Sequence, residues 1–181
     1  MTLKNIIDDS TGNNLPLVGV AIAAYNNLSF LVQCLDALER SDYPNLFKVV
    51  ADDGSTDDTS NTIKSKYIDV HLISGDGNLW WTGATNLAIK HCMKNGCELI
   101  VLINPDVTIT KTTISSLVQY SNKFPMSIIA PLVVCKDSPS KIWWGGEFLG
   151  AAVTMFASMD CKIHLQARNR RIGSSSYPLS F

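Results

Sequence analysis

Uninterrupted apolar runs of strand length, each released into a polar turn and followed by a helix-length stretch, constrain the fold of this chain more than any other feature. Leu17 to Ala23, Phe47 to Ala51 (apolar but for Lys48) and Leu99 to Ile103 show no period-two alternation of polar and apolar residues, so both faces of each run must be covered. Between the first two, Phe30, Leu31, Cys34, Leu35 and Leu38 recur at helical spacing from Ser29 until Tyr43-Pro44 breaks the pattern. The alternation continues. A helix is expected from Thr56 or Asp57 to Lys66, a strand at Val70 to Ile73, and a helix from about Thr82 to Lys94 with Leu87, Ile89 and Cys92 inward. The strand at Leu99 to Ile103 is followed by a helix capped by Thr110 and running to about Asn122, and Met126 to Val134 reads as one more buried strand. Strands alternating with helices predict an α/β, three-layer αβα domain with a mostly parallel central sheet. Beyond Asp137, Trp143-Trp144-Gly145-Gly146 and Phe148 to Phe156 suggest a hairpin or bent antiparallel strands.

Carboxylates stand where these strands reach solvent. The run ending at Ile103 opens directly into Asn104-Pro105-Asp106, and the run ending at Ala51 into Asp52-Asp53-Gly54-Ser55-Thr56-Asp57. Ligands of open α/β sheets lie outside the carboxyl ends of the strands, so Tyr25-Asn26, Asp52-Asp53, Gly75 to Asn78 and Asn104 to Asp106 are expected to line one crevice. Helix N-termini there favour a phosphate or diphosphate, whereas the carboxylates would repel one unless a divalent cation stood between them. Asp106 is the candidate ligand for that cation, because magnesium or manganese is commonly held by one or two carboxylates together with phosphate oxygens. Each piece alone also fits a structural role: Asn-Pro-Asp makes a good turn, and Asp52 to Asp57 a helix-capping run. Trp80 and Trp81 fit either core packing or an aromatic face against a ligand.

Composition narrows the classes. The chain has 181 residues, 46% hydrophobic and 17% charged, enough to bury a core, and its net charge of −1 excludes a sequence-independent grip on nucleic acid. Arg168, Arg170 and Arg171 form a basic cluster that reads as a solvated face or an anionic contact. Five cysteines without a CxxC pair favour a reducing, cytoplasmic setting. Pro16 interrupts the apolar run Leu15 to Ala24, and no run approaches the roughly 20 apolar residues of a membrane-spanning helix, so any membrane contact, at the inner face, is expected to be peripheral. His71, His91 and His164 lack metal-ligand spacing and read as structural or surface residues, and Gly75-x-Gly77 lacks the third glycine of a dinucleotide-binding turn.

Taken in order, Ala24-Tyr25-Asn26, Asp52-Asp53-Gly54-Ser55-Thr56-Asp57, Gly77 to Asn86 and Asn104-Pro105-Asp106 resemble family-2 glycosyltransferases of the Rossmann-like GT-A fold, over about Leu17 to Val134. The resemblance implies an inverting transfer of a sugar from a nucleoside-diphosphate sugar to a glycan or lipid-linked acceptor, in cell-surface polysaccharide or lipopolysaccharide synthesis. It implies Mg²⁺ or Mn²⁺ on Asp106, at the last acidic position of the family's DxD-type motif, where Asn104 replaces a more acidic residue. It places Ala24, Tyr25, Asn26, Asp52, Asp53, Gly77, Asn78, Trp81, Gly83, Asn86 and Asn104 on the nucleotide sugar. Residues 1–14 are expected as an N-terminal extension, 15–134 as the donor-binding core and 135–181 as the start of an acceptor-side region. Glu147 and Asp160, the only acidic residues after Asp137, do not match the family's base motif, so the general base is expected beyond Phe181. A nucleotide-binding module without transferase activity is the alternative reading.

Overall fold

The computed structural model describes residues 15–135, 138–144 and 155–157. In chain order the elements are β1 (Val18–Ala24), α1 (Leu28–Glu39), β2 (Leu46–Asp52), α2 (Thr59–Lys66), β3 (Val70–Ser74), α3 (Trp80–Lys94), β4 (Leu99–Leu102), α4 (Thr113–Lys123), β5 (Ile129–Pro131), β6 (Val133–Cys135), β7 (Ser138–Trp144) and β8 (Met155–Ala157). The chain divides into two compact units, Met1–Asn122 and Lys123–Phe181. The division falls inside the stretch expected as one core, because β5 pairs with β8 rather than joining the main sheet.

In the first unit the strands β3-β2-β1-β4 form one sheet in that order, every pair parallel. Ala24 lies opposite Asp52 and Asp52 opposite Ser74, so three strands release their chains at one edge. β4 stops with Leu102 opposite Ala21, and Ile103 N–H donates to the Ala21 carbonyl at 3.2 Å before the chain turns through Asn104. Successive residues of β1 serve opposite faces. Val18, Val20 and Ile22 pack with Leu31, Cys34, Leu35 and Leu38 of α1, Ile63 of α2 and Ile114 and Val118 of α4. Ala21 packs on the other face with Val49, Ala51 and the α3 residues Ala84, Ala88 and Cys92, small side chains that let α3 approach the sheet closely. Burying one leucine of this kind contributes about 1.5–3 kcal/mol. The expected parallel sheet, covered on both faces, is the one observed.

Other expectations change. Phe30 belongs to the expected apolar stripe of α1 but is exposed, and the buried set is Leu31, Cys34, Leu35, Ala37 and Leu38. α2 begins at Thr59 because residues 54–58 first wrap Asn26 and Asp52, with Asp57 capping Thr59. α3 begins at Trp80, before the expected Thr82. Thr110 lies in the turn ahead of α4, its hydroxyl 2.8 Å from that of Thr113. The single strand expected over Met126 to Val134 is two short strands, β5 and β6. Met126 is fully exposed with φ 63, which extended backbone does not allow. β7 pairs antiparallel with β6, but β8 pairs parallel with β5 rather than closing a hairpin. Residues 1–14, His164, the basic cluster at Arg168, Arg170 and Arg171, and most of Phe148 to Phe156 lie outside the described residues. Among the described residues no helix is long and apolar enough to cross a membrane.

Candidate active site: a cleft at the carboxyl edge of the sheet

A cleft of about 620 Å³ opens at the edge where β1, β2 and β4 end. Ala23, Ala24 and Tyr25 from the end of β1, Asn27 and Phe30 from the start of α1, and Asp53 after β2 form part of its lining. Gly77, Trp80, Trp81 and Ala84 from α3 and its approach, and Asn104, Pro105 and Asp106 after β4, complete it. Of the residues expected to meet a ligand, Ala24, Tyr25, Asp53, Gly77, Trp81, Asn104 and Asp106 are therefore brought together.

Asn26, Asp52, Asn78, Gly83 and Asn86 are not among the lining residues. Asn26 Oδ1 accepts from the Thr56 and Asp57 amides at 2.8 and 3.3 Å, and Asp52 accepts from Ser55 N–H at 3.1 Å and from the Ser60 hydroxyl at 2.9 Å. These two residues shape the loop after β2. Asn78 closes a local turn with Asp76, its amide donating to Oδ1 at 2.9 Å, and Asn86 is exposed on α3. A Cβ on Gly83 would stand 3.1 Å from that of Leu79, so its small size serves packing within α3.

Asp53 holds the wall. Its Oδ1 accepts from Gly77 N–H at 3.0 Å and Leu79 N–H at 3.2 Å, and its Oδ2 from Trp80 N–H at 2.8 Å, while the residue is only 5% exposed. The carboxylate thus occupies the Leu79 and Trp80 amides, two of the donors at the start of α3 that were expected to meet phosphate. Asp57 does the same elsewhere, accepting from Leu28 N–H of α1 at 3.2 Å and Thr59 N–H of α2 at 3.1 Å; the Thr59 hydroxyl and these amides hold its carboxyl below the usual carboxylate range. With these carboxylates at the helix starts, an anion in the cleft is favoured by a positive charge beside it. Gly75 permits the Asp53 arrangement: a Cβ there would stand 2.6 Å from Asp53 Oδ1.

Trp81 ties the start of α3 to the end of β4, its indole N–H donating to Asn104 Oδ1 at 2.9 Å. An indole nitrogen only donates, so this bond fixes the amide with its NH₂ as the group left over for other partners. Asn104 therefore offers a donor where a carboxylate would offer an acceptor. Asp106 is exposed on the lining, and its charge, after burial itself, helps push the Cys34 thiol beneath it up to about 12. Among the described residues no three His, Cys, Asp or Glu side chains converge as a protein-only metal cage. One exposed carboxylate with open positions suits a hard cation that takes the rest of its ligands from phosphate and water.

Phe30 is a lining residue that its helical spacing does not reveal, whereas Trp80 and Trp81, which fit either core packing or an aromatic face against a ligand, both stand on the lining. Phe30 was assigned to the core stripe, and Trp80 precedes the expected helix start. The clustering of Tyr25, Phe30, Trp80 and Trp81, all exposed, becomes visible only when α1 and α3 meet across the sheet end. His71 and His91, far apart in sequence, cluster with Phe47, their ring centroids 4.2 and 5.9 Å from it and 5.7 Å from each other, and neither is a lining residue.

A parallel sheet covered by helices on both faces, with acidic strand ends around one aromatic cleft, defines an α/β domain with its cleft at the carboxyl edge of the strands. The chain belongs to glycosyl transferase family 2, whose model matches residues 19–175. It is 33% identical over 92 residues to chondroitin synthase of Escherichia coli, covering 49% of this chain and 13% of that protein. It is 36% identical over 61 residues to hyaluronan synthase of Pasteurella multocida, covering 34% of this chain and 6% of that protein. The chain thus spans a small part of the curated relatives it matches. The fold is that of the GT-A glycosyltransferases: the mannosyltransferase PcManGT from Pyrobaculum calidifontis, solved with GDP-Man and Mn²⁺, aligns with TM-score 0.61 and 23% identity over 71% of this chain and 37% of its own. TarS 1-349 of S. aureus in complex with UDP-GlcNAc aligns with TM-score 0.57 and 19% identity over 66% of this chain and 35% of its own.

Proposed function

We propose that this chain is the donor-binding part of an inverting glycosyltransferase that moves a sugar from a nucleoside-diphosphate sugar to a glycan or lipid-linked acceptor in cell-surface polysaccharide synthesis. The observation that carries the reading is the cleft at the carboxyl edge, walled by Tyr25, Asp53, Asn104 and Asp106. Family membership and the two bacterial polysaccharide synthases it resembles support the reaction class. Residues 15–134 are read as the donor core, 1–14 as an extension and 135–181 as the start of the acceptor side. The free thiols Cys34, Cys92, Cys97 and Cys135 support a cytoplasmic setting, with the inner face of a membrane as its proposed contact.

Tyr25 and Ala24 would border the base and ribose. Asp53 keeps the 77–80 segment in place, so the wall is formed before a ligand arrives. Asn104, its orientation fixed by Trp81, presents its NH₂ to an acceptor oxygen of the ligand. Asp106 would hold Mg²⁺ or Mn²⁺, which when bound neutralises the charge that develops on the diphosphate leaving group. Calorimetric titration with UDP, GDP and dTDP, each with and without Mn²⁺, tests the reading. One nucleotide is expected to bind with Mn²⁺, and Asp106→Asn to lower that metal-dependent affinity at least about tenfold, about 1.4 kcal/mol, with the melting temperature unchanged. Equal affinity in the variant would refute Asp106 as the ligand.

A further inference from the structure

Trp80 combines two properties that folding alone does not explain. Its φ is 55, in the left-handed region that a bulky residue rarely adopts and that glycine enters freely. Its side chain is 81% exposed, so it gains almost no burial in return. The backbone is held there because Trp80 N–H donates to Asp53 Oδ2 at 2.8 Å as the chain enters α3. A strained, uncovered indole on the lining of a cleft points to a side chain kept for what it touches when the cleft is filled. Tyr25, just after β1, is already read as bordering the base, which leaves the wall at the start of α3 for the sugar end of the ligand.

We propose that Trp80 is a sugar-contacting, specificity-determining residue of this cleft, its indole face packing on the apolar C–H face of a pyranose ring belonging to the donor or to the acceptor. The inference deepens the proposed transferase reading and rests on it for the donor. An indole face suits such a ring because it offers a flat apolar surface that excludes water without demanding hydrogen bonds. Trp80→Gly removes the indole and relieves the backbone together, and this separates a ligand role from a structural one.

Thermal melting and calorimetry on the full chain with Mn²⁺ test the proposal, with UDP, GDP, dTDP, UDP-GlcNAc, GDP-mannose and methyl glycosides of hexoses and N-acetylhexosamines as probes. Trp80→Gly is expected to melt above Trp80→Ala and within about 3 °C of the wild type. It should bind the nucleoside diphosphate within about twofold of the wild type, yet bind the matching nucleotide sugar about tenfold more weakly, with Trp80→Phe between. Nucleotide-sugar affinity that holds while methyl glycoside binding is lost would assign the ring to the acceptor. Diphosphate and nucleotide-sugar affinities falling in parallel, a collapse in melting temperature, or no change with any sugar would overturn the proposal. If the wild type binds no nucleotide, the transferase reading fails. Trp80 is then decided by the glycosides alone: Trp80-dependent binding sustains the proposal, and its absence overturns it.

Discussion

Asp53 presents the sharpest conflict at the residue scale, since a carboxylate proposed to meet the nucleotide is also a buried cap. Three backbone amides donate to it, from Gly77, Leu79 and Trp80. Replacing it with alanine orphans those donors at the start of α3, where a lost cap and unsatisfied buried amides together cost about 2–4 kcal/mol. Asp53→Ala is therefore expected to shift the urea unfolding midpoint well downward, and Asp53→Asn less so, because one amide oxygen can still accept. Any loss of nucleotide binding in these variants must be read beside that shift. A variant that binds poorly but unfolds like the wild type would mean that the side chain acts on the ligand rather than on the wall. Asp106 differs, since it is exposed and its replacement is expected to leave stability alone.

At the scale of elements, α3 lies on the sheet through small residues, and the tightest point is Gly19 of β1. A Cβ there would stand 2.7 Å from Cys92 Cβ, 2.8 Å from Cys92 Sγ and 3.0 Å from Cys97 Sγ, of which Cys92→Ala removes the second, and both cysteines are tied to the end of α3. Gly19→Ala is expected to cost about 1–3 kcal/mol by overpacking, measurable by urea unfolding, whereas the pair Gly19→Ala with Cys92→Ala should recover part of it. Full additivity of the two losses would contradict this contact. The strands of the main sheet were legible in the sequence because a strand covered on both faces is a continuous apolar run, and the acidic strand ends marked the cleft edge. Helix starts were less so. Asp53 and Asp57 cap α3 and α2 from outside the helical pattern, and the cap of α3 arrives from a strand end distant in sequence. The face of Phe30 was misread because helical period says which residues share a stripe but not where the stripe leaves the sheet edge. Met126 to Val134 reads as one apolar run, yet it splits at Leu132, since β5 and β6 pair with different strands.

Across the whole molecule, the sheet is held at one side by a buried cation. Lys48 of β2 is 5% exposed and pairs with Glu39 at the end of α1 and with Asp69, 2.5 Å away, ahead of β3. Burial alone would lower its pKa, but hydrogen bonds to Asp69 and Glu39 outweigh that and raise it. The same bond from Lys48 lowers Asp69, and bonds from Tyr67 and Lys66 lower Asp36, which joins α1 to the end of α2. A carboxylate lowered in the folded state contributes stability that is complete above its unfolded pKa of about 3.9 and is lost as pH falls through the folded value. Lys48, being raised, contributes fully below about pH 10.4 and loses that contribution only as pH rises beyond it. Stability is thus expected to be level from about pH 5 to 8, to fall on the acid side because Asp36, Asp57 and Asp69 are all lowered, and to fall above about pH 8.5 because the buried Cys34 and Cys92 thiols, both raised, stay protonated in the folded chain while they ionise in the unfolded one. Lys48→Met places an apolar chain of similar length in the buried site and leaves Glu39 and Asp69, both substantially exposed, to water. Its stability at pH 7 should lie within about 1–2 kcal/mol of the wild type, on either side. Its acid limb should be shallower, because Asp69 loses the largest of the interactions that lower it in the folded state. Urea unfolding across pH 2.5 to 7 measures both. An acid limb identical in the variant and the wild type would mean that the Lys48–Asp69 pair does not hold the sheet edge.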